Sequence, residues 1–133
     1  MKKPRARVVL VDTNTVLRYL LKEPPDLYEK ADEFFERVRS GEQEVEILES
    51  VLSEIIYVLL KFYQVPKQKV VETLSTFLGY KGIPARDRSY YLPALSLFGE
   101  THLDFVDCLL VAKAKARKVE VFSFDKHLLK LIG

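Results

Sequence analysis

Four of the chain's seven aspartates, with one glutamate, stand where carboxylates could work together. Asp12 follows a short apolar run, residues 8–11, and Asp125 follows residues 119–124, which read as a last strand. Runs of this kind suit buried parallel strands, and the C-terminal edge of such a sheet is where ligands bind. Asp104 and Asp107 are three apart in a helical stretch and so share a face. Glu54 lies in an apolar helical stretch, and its i±3 and i±4 neighbours, Ser50, Val51, Tyr57 and Val58, include no cation. Two carboxylates about 4 Å apart repel by roughly 4 kcal/mol at an effective dielectric near 20. Four could share a pocket only with protons or a cation, and oxygen ligands without a His or Cys cluster suit Mg²⁺ or Mn²⁺ rather than Zn²⁺. Each acid also has a plainer reading. Asp12, Asp104 and Asp125 are N-cap residue types, and Asp107 at the third helical position suits the dipole. Glu54 could face water on a polar strip with Tyr57 and Lys61.

The elements that must position these acids follow from the hydrophobic pattern. Residues 8–11 predict a strand and 15–22 a short helix stopped by Pro24-Pro25. Asp26-x-x-Glu29 opens a helix over 27–39, with Leu27, Ala31, Phe34, Phe35 and Val38 as its apolar stripe and Gly41 as its stop. A second strand falls at 45–48. Ser50 is placed to cap a helix over 51–63 that is apolar nearly all round, which predicts burial. Pro66 opens a helix to Leu78, and Ile83-Pro84 suggests a short third strand. A helix over 88–98 contains Pro93, and one over 103–118 gathers Lys113, Lys115, Arg117 and Lys118 towards its C-terminus, where the dipole favours cations. A last strand at 119–124 and a closing helix complete the chain. Strands alternating with helices predict a single α/β domain, residues 1–133, whose mostly parallel sheet of about four to five short strands is flanked by helices.

Composition narrows the classes. One cysteine, Cys108, excludes an internal disulfide framework and a Cys-based zinc cage. No run of about 18 apolar residues occurs, so no membrane span is expected. The basic start, Met1–Arg5, is followed by an apolar run too short for a signal peptide, so a soluble, cytoplasmic protein is expected. Thirteen Lys and 12 Glu beside one Asn and three Gln follow a hyperthermophile tendency. His102 and His127 read as surface residues and Cys108 as packing. The Tyr90-Tyr91 and Phe34-Phe35 pairs read as core or dimer contacts rather than base-stacking platforms. The five glycines form no phosphate-binding fingerprint and no nucleophile elbow. The net charge of +2 argues against a strongly basic nucleic-acid binder. Setting five of the 19 acids aside as one metal pocket, however, leaves 14 against 21 bases, a remainder of +7.

Four segments, in this order, resemble the PIN-domain nucleases, especially the small VapC-type toxin ribonucleases. They are Val9-Leu10-Val11-Asp12-Thr13-Asn14-Thr15-Val16-Leu17, Ser50-Val51-Leu52-Ser53-Glu54, Leu103-Asp104-Phe105-Val106-Asp107-Cys108-Leu109-Leu110-Val111-Ala112, and Val121-Phe122-Ser123-Phe124-Asp125. The resemblance runs from about residue 7 to 131. It implies that Asp12, Glu54, Asp107 and Asp125 bind the metal, with Asp104 as a candidate fifth acid. It also implies that Asn14 and Ser123 support the site. The activity implied is endoribonucleolytic: metal lowers the pKa of a bound water, which attacks a phosphodiester and leaves a 5′-phosphate and a 3′-hydroxyl. Arg18, Lys22, Arg86, Arg88 and Lys126 are the candidates for RNA phosphates, chosen by their place in the topology. The family further implies a homodimer and a cognate antitoxin. A non-catalytic nucleic-acid or protein-binding module of the same fold is the alternative. Asp12-x-Asn14-x-Val16 is also similar to the signature of haloacid-dehalogenase-type phosphatases, but Asn14 replaces their second Asp and no late Asp-Asp pair follows.

Overall fold

A computed structural model describes residues 7–133; the basic start at Met1–Arg5 lies outside them. The chain runs β1 (Val9–Leu10), α1 (Thr13–Leu21), α2 (Pro25–Ser40), β2 (Val45–Glu46), α3 (Glu49–Tyr57), α4 (Lys67–Leu78), α5 (Ala85–Glu100), α6 (Phe105–Arg117) and α7 (Lys126–Ile132). Among the described residues, none of these helices is long and apolar enough to cross a membrane. The strands pair in parallel, Val9 opposite Val45 and Leu10 opposite Glu46. The order β–α–α–β is what a parallel pair requires, because its crossover must carry the chain back along the sheet.

Helix positions follow the expectations closely, and the differences have local causes. Helix α2 starts at Pro25 rather than after an Asp26 cap: a proline at the first helical position has its φ already set and needs no N–H partner. Helix α3 starts at Glu49 with Leu48 at its cap position, so Ser50 does not cap it. After Tyr57 it passes into a π-helical turn, Val58–Phe62. The expected all-round burial is not met. Leu52, Ile55, Ile56 and Leu59 are buried, whereas Tyr57 and Phe62 are 65% and 76% exposed.

The sheet is smaller than the four to five strands expected: two strands of two residues each. Around Ile83 the chain turns instead of extending. The Gly82 carbonyl accepts from Val45 N at 3.0 Å, and Pro84, which has no N–H to give a ladder, sits at the cap of α5. Glycine is required at position 82, because a Cβ there would stand 2.0 Å from the Gln43 carbonyl oxygen and 2.8 Å from that of Val38. Residues 119–124 run as coil without ladder hydrogen bonds, and the Phe122 and Phe124 rings stack edge-on at 5.4 Å. The outcome is an α/β fold that is mostly helical.

The core is continuous from the sheet into the helices. Phe35, Val45, Ile47, Leu52, Ile55, Leu74, Phe77 and Leu95 are at most 2% exposed. Tyr19 and Phe77 flank Phe35, with ring centroids 4.9 and 5.5 Å away. Tyr91 is buried and donates its hydroxyl to the Ile47 carbonyl at 2.7 Å, which ties α5 to the segment after β2. Cys108 is fully buried as packing, and burial pushes its thiol pKa up. His102 and His127 are exposed.

Candidate functional site

Asp12 leaves the end of β1 in extended conformation and caps α1. Its Oδ1 accepts from the Thr15 backbone N–H at 2.8 Å and from the Thr15 hydroxyl at 2.6 Å. These two donations hold the carboxyl below its ordinary pKa of 3.8, so it is a carboxylate at neutral pH. Both bonds fall on one oxygen, which leaves Oδ2 free for another partner. Asp12 and Thr15 line an open cleft with Val9, Leu10, Val11 and Phe34. The spacing of the acids does not single out Thr15. The signal was there: an aspartate cap followed three residues later by a hydroxyl that can donate back to it. Asn14 stands exposed next to it and lines a neighbouring cleft. It makes no hydrogen bond to Asp12 in this arrangement.

Asp125 repeats the capping geometry at α7. Its Oδ1 accepts from His127 N at 2.9 Å and Leu128 N at 3.1 Å. Ser123 supports it through the backbone: its hydroxyl accepts the Asp125 N–H at 3.0 Å. Asp104 takes the cap position of α6 without a side-chain cap bond, and Asp107 follows in the first turn. Together they line a cleft of about 640 Å³ with Ser53, Tyr57, Lys61 and Phe98, between α3 and α6. Glu54 is exposed on α3, on the polar strip with Tyr57 and Lys61.

The five acids are carried by four parts of the chain: Asp12 after β1, Glu54 on α3, Asp104 with Asp107 at the start of α6, and Asp125 at the start of α7. Among the described residues, no three His, Cys, Asp or Glu side chains come close enough to hold a metal ion. The donor chemistry suits a hard divalent cation, but this placement of it does not. Residues 119–125 account for much of the difference. An Asp125 delivered by a strand beside β1 would stand at the same sheet edge as Asp12, and here that stretch is coil that pairs with neither strand.

The cationic candidates are dispersed as well. Arg18 lines a cleft with Asn14, Thr15, Lys30 and Phe34. Its guanidinium donates to the Glu23 carbonyl at 2.9 Å and the Tyr63 hydroxyl at 3.1 Å, while its Nε is buried with no partner. Arg88 is tied to the Ile83 carbonyl at 2.8 Å. Lys22 ends α1 in left-handed conformation, and Arg86 lines a cleft with Glu46, Glu49 and Asp87. In that cleft burial, with Glu46 and Glu49, raises the Asp87 pKa. Lys126 begins α7 directly after Asp125.

A VapC ribonuclease of Aquifex aeolicus (strain VF5) is 28% identical over 123 residues, covering 92% of this chain and 90% of that relative. No solved structure matches the chain significantly. Residues 9–132 match the PIN domain, a span that opens on the β1 strand leading into Asp12 and closes within the helix that Asp125 caps. On that match, which takes in nearly all of its length, the chain belongs to the PIN-domain family.

Proposed function

We propose that this protein is a toxin-type endoribonuclease that hydrolyses RNA phosphodiester bonds, with Mg²⁺ or Mn²⁺ at an acidic set of Asp12, Glu54, Asp107 and Asp125. The observation that carries the reading is similarity over 92% of the chain to a protein named a ribonuclease. Asp12 supports it. It is ionised, fixed by Thr15, and open to a cleft at the end of a parallel strand. Oxygen donors without thiolate or imidazole neighbours select Mg²⁺ or Mn²⁺.

The set assembles in this reading when residues 119–124 pair with the free edge of β1. That edge is apolar and open, with Val8 and Leu10 52% and 61% exposed. The segment itself alternates half-buried Val121 and Ser123 with Phe122 and Phe124, which are 91% and 89% exposed. Period-two alternation is strand patterning, and such exposure of two phenylalanines is a cost that pairing would relieve. Asp104 joins the set as a fifth acid or remains at the α6 cap. A cognate antitoxin, a homodimer and a cytoplasmic location belong to the same reading.

A second reading has one observation in its favour. A PIN-fold module that binds RNA or protein without cutting needs no assembled acids, and among the described residues no three of the acids come together. One experiment separates the two: incubate RNA with the wild type and with Asp12→Asn in Mn²⁺ and in Mg²⁺, then map the ends. The ribonuclease reading expects 5′-phosphate and 3′-hydroxyl products from the wild type and at least a hundredfold less from the folded variant. Equal cleavage by both rejects the site, and binding without cleavage across several RNAs selects the second reading.

A further inference from the structure

Among the described residues three aspartates hold helix N-cap positions, and only two of them cap. Asp12 and Asp125 accept backbone N–H groups of the helices they open. Asp104 stands at the same position of α6, in the same extended conformation, and accepts none. Aspartate at an N-cap ordinarily takes the second or third helical N–H. The Asp104 carboxylate has no ion pair among the described residues either. It lines the cleft between α3 and α6. Ile56, Phe98 and Phe105 form the buried part of that cleft, each at most 7% exposed, with the two rings edge-on at 6.0 Å. Tyr57 stands at the rim, 65% exposed. The charged residues lining the cleft are Asp104, Asp107 and Lys61, a balance of −1. No residue of β1 or of 119–125 lines it, so pairing between those two segments does not use its walls.

These walls select an occupant by its chemistry. A rim of net negative charge repels phosphate. An apolar floor takes a flat apolar body, and a carboxylate, which only accepts, takes N–H groups at the edge of that body. A nucleobase has both features. Asp107 lines the same cleft and belongs to the acid set proposed to act on RNA, so a base next to that set is within reach. The bases differ in what they offer. Guanine presents two neighbouring donors, N1–H and the 2-amino group, which match the two oxygens of a carboxylate in a bidentate, charge-assisted pair. Adenine and cytosine place one amino donor beside a ring-nitrogen acceptor, and uracil places one N–H between two carbonyls. In each of these an acceptor lone pair would face the carboxylate. We propose that the α3–α6 cleft is a base pocket, that Asp104 reads guanine in it, and that the RNA is selected for a guanine beside the acid set. The proposal rests on the ribonuclease reading for the identity of the polymer. It gives Asp104 a role in specificity rather than in metal binding.

The test measures binding apart from cutting. End-labelled eight-nucleotide RNAs, all uridine except for one central guanosine, inosine, adenosine or cytidine, are titrated with the full chain in EDTA, following fluorescence anisotropy. The wild type should bind the guanosine RNA about five- to 150-fold more tightly than the adenosine or cytidine RNA, the range of one bidentate pair. Inosine, which lacks the 2-amino group, should fall between. Asp104→Ala should level the four RNAs. Asp104→Asn offers one acceptor beside one donor, the complement of adenine and cytosine, and should move the preference to them. Neither a loss of fold nor a lost metal ligand produces that reversal in EDTA. Equal affinity of the wild type for the four RNAs overturns the proposal, as does no RNA binding at all or a guanine preference that survives in either variant. A second copy of this chain is the rival occupant. A dimer that Tyr57→Ser dissociates, with no base preference in either form, assigns the cleft to that copy and overturns the base pocket. Cleavage in Mn²⁺ is scored separately. Cleavage with no preference for guanine rejects the pocket and leaves the ribonuclease. Guanine-selective binding that depends on Asp104, with no cleavage of any RNA, supports the pocket and rejects the ribonuclease.

Discussion

Asp12 has two duties in the proposed enzyme, and substitution can separate them. As the α1 cap it accepts two hydrogen bonds from Thr15. Replacing a capping aspartate by alanine costs about 1 kcal/mol, within a range of roughly 0.5–2. For a chain of this length that is a fall of about 3–5 °C in Tm. Asn keeps an acceptor oxygen for Thr15 and loses only the charge at the helix N-terminus, worth about 0.3–1 kcal/mol. Asp12→Asn should therefore melt between the wild type and Asp12→Ala. As a metal ligand Asp12 has a different signature. Mn²⁺ at a hundred times its dissociation constant stabilises a protein that binds it only when folded by about 2.7 kcal/mol, or about 8–13 °C here. Both variants should lose most of that increment, including the one that keeps its cap. The assay is thermal unfolding of the three proteins in EDTA and in graded Mn²⁺, with no RNA present. The pH dependence has a definite sign. The folded pKa lies below the ordinary 3.8, so the ionised form adds stability above that value and the contribution is lost as pH falls through the folded pKa. The gap between wild type and Asp12→Ala in EDTA should accordingly narrow below about pH 4. A Mn²⁺ shift that survives in Asp12→Asn refutes the ligand assignment. Equal melting of the Asn and Ala variants refutes the capping account.

Two further outcomes follow from the fold. Tyr91→Phe removes the donor to a buried carbonyl, that of Ile47, and should cost about 1–3 kcal/mol in urea unfolding without changing the slope; a variant as stable as the wild type would show that water satisfies the carbonyl. If residues 119–124 pair with β1 when the acids assemble, saturating Mn²⁺ should slow amide exchange at Val121 and Ser123 in the wild type and not in Asp125→Asn. Exchange that ignores the ion would separate the segment from the site.

The helices were legible because their signals are local. The stop at Gly41 and the basic end of α6 are set within a turn or two and appear where expected, and of the stripe on α2 Ala31, Phe35 and Val38 are buried while Leu27 is exposed and Phe34 half-buried. The capping roles of Asp12 and Asp125 were legible for the same reason. What the sequence does not carry is pairing at a distance. Residues 119–124 have the composition of a strand, but a strand exists only with a partner edge, and the β-branched pattern cannot say whether that edge is taken. The site inherits this limit, since it depends on joining residues 12, 54, 107 and 125 from four elements. Neighbours within one element misled in a different way. Phe34-Phe35 invites a shared role, and only the helical rotation between them, with α2 already docked through Phe35, turns one ring to the core and the other to a cleft.

Charge placement decides which face of the molecule can take a polyanion. A polar cleft of about 600 Å³ lies between α1, α2 and α4. Its cations Lys22, Arg39 and Lys69 face Asp32, Glu36 and Glu72, so its balance is zero. Glu36 is engaged there already, paired with Arg39 at 2.8 Å and accepting from Tyr19 at 3.1 Å; Tyr19 in turn lies 2.6 Å from the Tyr80 hydroxyl. A phosphate entering that groove would gain nothing from the long-range field and would have to displace bonds already made. The adjoining clefts beside Asp12 are smaller, but their cations are opposed by one carboxylate, and the buried Arg18 Nε is still without a partner. With Asp12 neutralised by a divalent cation, the charged residues left lining these two clefts are Arg18 and Lys30. The formal charge of +2 is thus a poor guide to nucleic-acid binding in this chain. The field that steers a polyanion depends on which acids are cancelled by an ion and which by neighbouring cations.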